Sequence, residues 1–102
     1  MIAGFLAVSS ASAQQMPRYD VDGYCRQVSD ISGGSDVIYN GCIDMEQQAY
    51  NKRKAEWTSL PQKTRSYCDE VARVGGGGSY SILDGCIDME VGAAGSTPAF
   101  KY

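Results

Sequence analysis

Gly41-Cys42-Ile43-Asp44-Met45-Glu46 returns letter for letter as Gly85-Cys86-Ile87-Asp88-Met89-Glu90. Six consecutive identities in so short a chain mark an internal duplication. Outward from that hexapeptide the order of parts also repeats. Each copy has a proline (Pro17, Pro61), then Tyr-Cys (Tyr24-Cys25, Tyr67-Cys68), then a glycine break, a serine (Ser35, Ser79) and the hexapeptide. The second break is one residue longer.

Apolar residues within each part recur at helical spacing. Val21, Tyr24, Cys25, Val28 and Ile31 share one face, and Thr64, Tyr67, Cys68, Val71 and Val74 repeat it. Beyond the breaks, Ile38, Cys42, Met45 and Ala49 form a stripe that Ile82, Cys86, Met89 and Ala93 reproduce. The spacing predicts four helices, near 17–32, 35–59, 61–74 and 79–94, and an all-α fold of two tandem helical hairpins. Gly33-Gly34 and Gly75 to Gly78 end helices because glycine accepts a left-handed φ. Ser35 and Ser79 are expected N-caps. Pro61 suits a first turn, and Ser59 with Gln62 has capping-box spacing.

The midpoint between Cys25 and Cys42 falls between Gly33 and Gly34, and that between Cys68 and Cys86 falls on Gly77. Residues equidistant from the turn of an antiparallel hairpin stand at equal height. Cys25–Cys42 and Cys68–Cys86 are therefore the expected disulfides, one closing each hairpin. Gly41 and Gly85, beside stripe cysteines, are expected to let the helices approach.

The N-terminus reads as an export signal. Ile2 to Val8 is an uncharged apolar run, followed by Ala11-Ser12-Ala13, the small-x-small pattern of a cleavage site. No Lys or Arg precedes the run. A signal peptide over 1–13 leaves a single domain over 14–94, divided as 14–59 and 60–94, and a flexible tail over 95–102. Export agrees with four cysteines used as disulfides, and the expected location is periplasmic or secreted. That apolar run is far too short to span a bilayer, and no other segment is long enough.

Composition excludes several functions. There is no histidine, so Ser-His-Asp and Cys-His catalysis are impossible. No C-x-x-C occurs, which removes a thioredoxin-like reading and the usual zinc ligand pairs. Gly75 to Gly78 lacks the P-loop Lys and follows a helix, and reads as a flexible turn. Asp20-Val21-Asp22-Gly23 fails as a calcium loop because Tyr24 and Cys25 occupy essential positions. A net charge of −3 argues against nucleic acid as a partner. No cofactor and no metal ligand set is indicated.

Three features stand apart as possible interaction residues. Glu46 lies about 40° from Cys42 on the helical wheel, inside the apolar arc, and Glu90 repeats it. A carboxylate there is expected to bond to a tyrosine hydroxyl, an arginine such as Arg26 or Arg65, or free N–H groups at a helix start, to face a ligand, or to be exposed. Asp44 and Asp88 point away and are expected to be solvated, as is the basic run Asn51 to Lys54. Trp57, with Leu60, marks the corner between the repeats, as packing or as a contact residue.

Trp57-x2-Leu60-Pro61-x3-Arg65-x2-Cys68, with Ser79-Tyr80-x2-Leu83-x2-Cys86-x3-Glu90, resembles small exported proteins of alphaproteobacteria that carry this W-x2-LP-x3-R-x2-C … SY-x2-L-x2-C-x3-E pattern. The first repeat departs from it, with no tryptophan upstream and Asp36 in place of Tyr80. The resemblance implies export and a bacterial source. The expected function is a non-enzymatic structural module, or one that binds a protein or envelope component. A secreted inhibitor or effector is the alternative, and an enzyme using Glu46 or Glu90 is third.

Overall fold

The computed structural model describes residues 15–96 and 98–102, so the proposed signal peptide lies outside the described residues. It is all-helical. The elements are α1 (Val21–Ile31), α2 (Asp36–Lys54), a short 3-10 turn (Trp57–Ser59), α3 (Gln62–Ala72) and α4 (Tyr80–Ala94). The disulfides are those the glycine midpoints require. Cys25–Cys42 joins α1 to α2 with Cα atoms 5.6 Å apart, and Cys68–Cys86 joins α3 to α4 at 5.5 Å.

The first break is a complete helix stop. Gly33 N–H donates to Asp30 O and Gly34 N–H to Ser29 O, with both glycines at positive φ. That is the Schellman arrangement, which satisfies the last carbonyls of α1. Ser35 Oγ accepts from Ile38 N and Ser79 Oγ from Ile82 N, so both expected serine caps form. Other boundaries differ. α1 starts at Val21 because Asp20, not a residue near Pro17, caps it through Gly23 N. α2 ends at Lys54 and the chain turns through Trp57–Ser59. The Ser59/Gln62 capping box is absent: Ser59 Oγ donates instead to Glu56 O, and Pro61 precedes α3 without a side-chain cap.

The helices pack as α1 on α2, α2 on α4 and α4 on α3. They therefore lie in a row in the order α1, α2, α4, α3. α2 and α4 run parallel, since Glu46 meets residues 79–81 and Arg53 meets Asp84 and Asp88 further along. Residues 15–20 cross one side of this row. Tyr80 Oη donates to Pro17 O at 2.6 Å and accepts from Tyr19 N at 3.1 Å, while Tyr19 Oη donates to Asp69 at 2.7 Å. The Tyr19 and Tyr80 rings lie 4.5 Å apart, and Tyr50 meets Tyr80 edge-on at 4.9 Å. Burial, reinforced by Asp69, raises the Tyr19 phenol's pKa far above its ordinary value.

The glycine run of the second break has a packing role. Gly77 O accepts from Asp20 N, and a Cβ on Gly78, whose φ is +103°, would collide with the Tyr19 ring. The extra residue of that break thus brings backbone against the crossing segment. The core is Tyr19, Ala49, Trp57, Cys68, Ala72, Tyr80, Leu83, Cys86 and Ile87. It belongs to the second hairpin, α2 and the crossing segment. From α1 only Cys25 and Ser29 are buried. Residues 95, 96 and 98–102 are exposed and have no regular structure.

Candidate functional site

The duplicated glutamates have unlike surroundings. Glu46 is only 1% exposed. Its Oε1 accepts from Tyr80 N at 2.6 Å, and its Oε2 from Ser79 Oγ at 2.8 Å and Ser81 N at 3.2 Å. It therefore sits across the N-terminus of α4, where free N–H groups and the helix dipole favour an anion. An open cleft of about 500 Å³ between Tyr19, Ile43, Gln47, Tyr50 and Tyr80 borders it. Both carboxylate oxygens are turned into α4. Glu90 is exposed.

The basic run also divides. Lys52 and Lys54 are exposed, but Arg53 is 4% exposed, contrary to a solvated face. Its guanidinium bridges Asp84 at 2.6 Å, Asp88 and Glu56. Lys52 adds a contact to Asp84 at 3.3 Å. Asp88 is consequently an ion-pair partner rather than a free solvated group, and the bond from Arg53 holds its pKa below the ordinary 3.8. Because the folded value is depressed, this pair stabilises the fold above the usual carboxylate range and loses that contribution as pH falls through the folded pKa. Asp88→Asn is therefore expected to flatten the loss of stability below about pH 4, read by urea unfolding across an acid series. An unchanged pH slope would refute the pairing.

Trp57 is buried in the core, with the Arg65 guanidinium 6.0 Å from its ring centre. Its packing reading holds, and it offers no exposed contact surface. Gly41 and Gly85 do not serve close helix approach. A Cβ on either would meet nothing within 4 Å.

What sequence reasoning missed is an exposed apolar set on the helices. The expected core stripes are partly outside. Ile38, Met45, Ile82 and Met89 are exposed, Met45 to 63% and Met89 to 71%, with Val37 at 80%. On hairpin one, Tyr24 and Val28 of α1 with Val37, Ile38, Gly41, Cys42, Met45 and Glu46 of α2 line a mostly apolar groove of about 320 Å³, to which Ser81 of α4 also contributes. The corresponding residues of hairpin two are Tyr67, Val71, Ser81, Ile82, Gly85, Cys86 and Met89, with a serine in place of Val37. Of these Tyr67, Ile82 and Met89 are exposed and Val71 is half-buried. The repeat itself carried the signal, for its identities include glycine and methionine at positions no core requires.

The chain matches no family model, no curated protein and no solved structure. No helix among the described residues is long and apolar enough to cross a membrane. Function must therefore be argued from the arrangement alone. The arrangement offers a broad apolar surface on a cross-linked scaffold and a buried carboxylate already satisfied.

Proposed function

We propose that this is an exported, non-enzymatic binding module that docks a protein or envelope component on the uncovered apolar side of its helical row. The observation that carries the reading is the formed groove with exposed Val37, Ile38 and Met45 in its lining, together with the exposed repeat counterparts Ile82 and Met89. An exposed apolar groove of this kind commonly marks an interaction site. Export is supported by the apolar leader-like segment and by two disulfides, which persist in oxidising compartments. The engagement of both Glu46 oxygens by α4 weighs against that residue acting as an acid or base.

Photo-crosslinking tests the reading. With a photoreactive amino acid at Met45 or Met89, envelope extract is expected to yield discrete protein or lipid adducts. The same group at Lys54 or Gln62, which line clefts beside residues 15–18, is expected to give none. Adducts of equal yield from all four positions would sink the proposal.

A further inference from the structure

We propose that a cleft along α3 binds a small soluble organic anion, one that carries a carboxylate or phosphate group beside an apolar body. The site shares no residue with the apolar groove and stands or falls apart from the docking reading.

The polar stripe of α3 makes one wall. Gln62, Arg65 with Ser66, Asp69, and Arg73 at the C-cap follow one another at intervals of three or four residues, so they share a helix face. Residues 15–18 and Trp57 complete an open cleft of about 430 Å³. That is within the range of small-molecule sites.

The charge of this lining is the reverse of the chain's. Three arginines, Arg18, Arg65 and Arg73, face one carboxylate, Asp69, while the whole chain carries −3. Residues 1–14 contain no charged side chain to offset them. Asp69 is already committed, for its Oδ1 accepts from Tyr19 Oη at 2.7 Å and from Arg73 Nε at 3.0 Å. Arg73 spends only its Nε on that bond, and its side chain is exposed. The Arg18 side chain is exposed too, with no hydrogen bond or ion pair among the described residues. A cationic concavity on an acidic protein draws anions to itself and away from the rest of the surface. Arginine suits either head group, since its planar fork pairs with two carboxylate or phosphate oxygens at once.

Trp57 is a second, independent sign. It lines the cleft at 5% exposure, and its indole Nε1 is buried with no hydrogen-bond partner. Buried donors are paired in nearly all native structures, because an unpaired one is costly. An oxyanion held by the arginines supplies an acceptor. Half-buried Met16 and Pro17 add an apolar wall that a bare inorganic ion would not use.

The chain's single tryptophan gives one indole N–H signal, so NMR titration of the whole oxidised protein tests the site. Benzoate and phenyl phosphate are expected to shift that signal saturably, and uncharged benzyl alcohol to leave it in place. A preference between the two anions upholds the site and names its head group. Arg18→Gln is expected to weaken both about tenfold without lowering the melting temperature, because that side chain holds no bond in the fold. Arg26→Gln, outside the cleft and paired with Asp22 at 2.9 Å, is expected to leave affinity unchanged. Equal shifts from benzyl alcohol, or equal losses in the two variants, would overturn the anion site. Inorganic phosphate binding as tightly as phenyl phosphate would overturn the apolar wall. Binding to phosphatidylglycerol vesicles with no response to either soluble anion would assign the arginines to a bilayer surface and overturn the proposal.

Discussion

Glu46→Ala is expected to destabilise the protein by about 3 kcal/mol, and Glu90→Ala by less than about 0.5 kcal/mol, in matched urea titrations. The two residues close identical hexapeptides, so the difference measures position alone. Truncating Glu46 leaves Tyr80 N, Ser81 N and Ser79 Oγ facing a vacated, buried space. Unsatisfied buried donors cost about 1–3 kcal/mol, and the loss of an anion at a helix start adds to that. At about 4–8 °C per kcal/mol for a domain of this size, melting is expected to drop by more than about 10 °C. Glu46→Gln retains the shape but turns an NH₂ group toward N–H donors, and is expected to fall between wild type and alanine. Equal losses at Glu46 and Glu90 would show that α4 does not depend on the carboxylate for its cap.

That contrast also explains how far the sequence could be read. Helix type, the two hairpins and the pairing Cys25–Cys42 and Cys68–Cys86 follow from local rules: period, glycine stops and distance from the turn. These need no knowledge of how the hairpins meet. The roles of Glu46, Arg53 and Met45 depend on which side of α2 receives α4, and nothing within a single helix's period encodes that. Free N–H groups at a helix start were among the partners considered for Glu46, but the particular start, 79–81, becomes evident only once α2 and α4 lie parallel. Arg53 read as solvated because its partners, Asp84 and Asp88, come from the other hairpin. Met45 and Met89 read as core because a helical stripe was assigned to the interior. Tyr19 and the Trp57 corner pack on the core cluster and leave both methionines exposed.

Reducing both disulfides is expected to unfold the protein at 37 °C, seen as loss of helical dichroism in excess thiol. On the chain-entropy account each closed loop contributes about 3 kcal/mol, and the pair about 6, against a net stability of about 5–15 kcal/mol for a domain. The two bonds should not be equivalent when removed singly. Cys68 and Cys86 stand within the core, so Cys68→Ala with Cys86→Ala removes a cross-link and core contacts together. The expected result is cooperative loss of the whole fold at lower denaturant, including the fluorescence of Trp57, the chain's single tryptophan. Cys25 is buried but lies outside that cluster, and α1 buries little else. Cys25→Ala with Cys42→Ala is therefore expected to raise amide exchange across Val21–Ile31 while the Trp57 transition moves far less. Identical displacement of the tryptophan transition by both double variants would contradict a core centred on the second hairpin. The selective result would mean that the groove between α1 and α2 is held together chiefly by its cross-link. In that case mild reduction would abolish the α1/α2 face before it affected α3/α4.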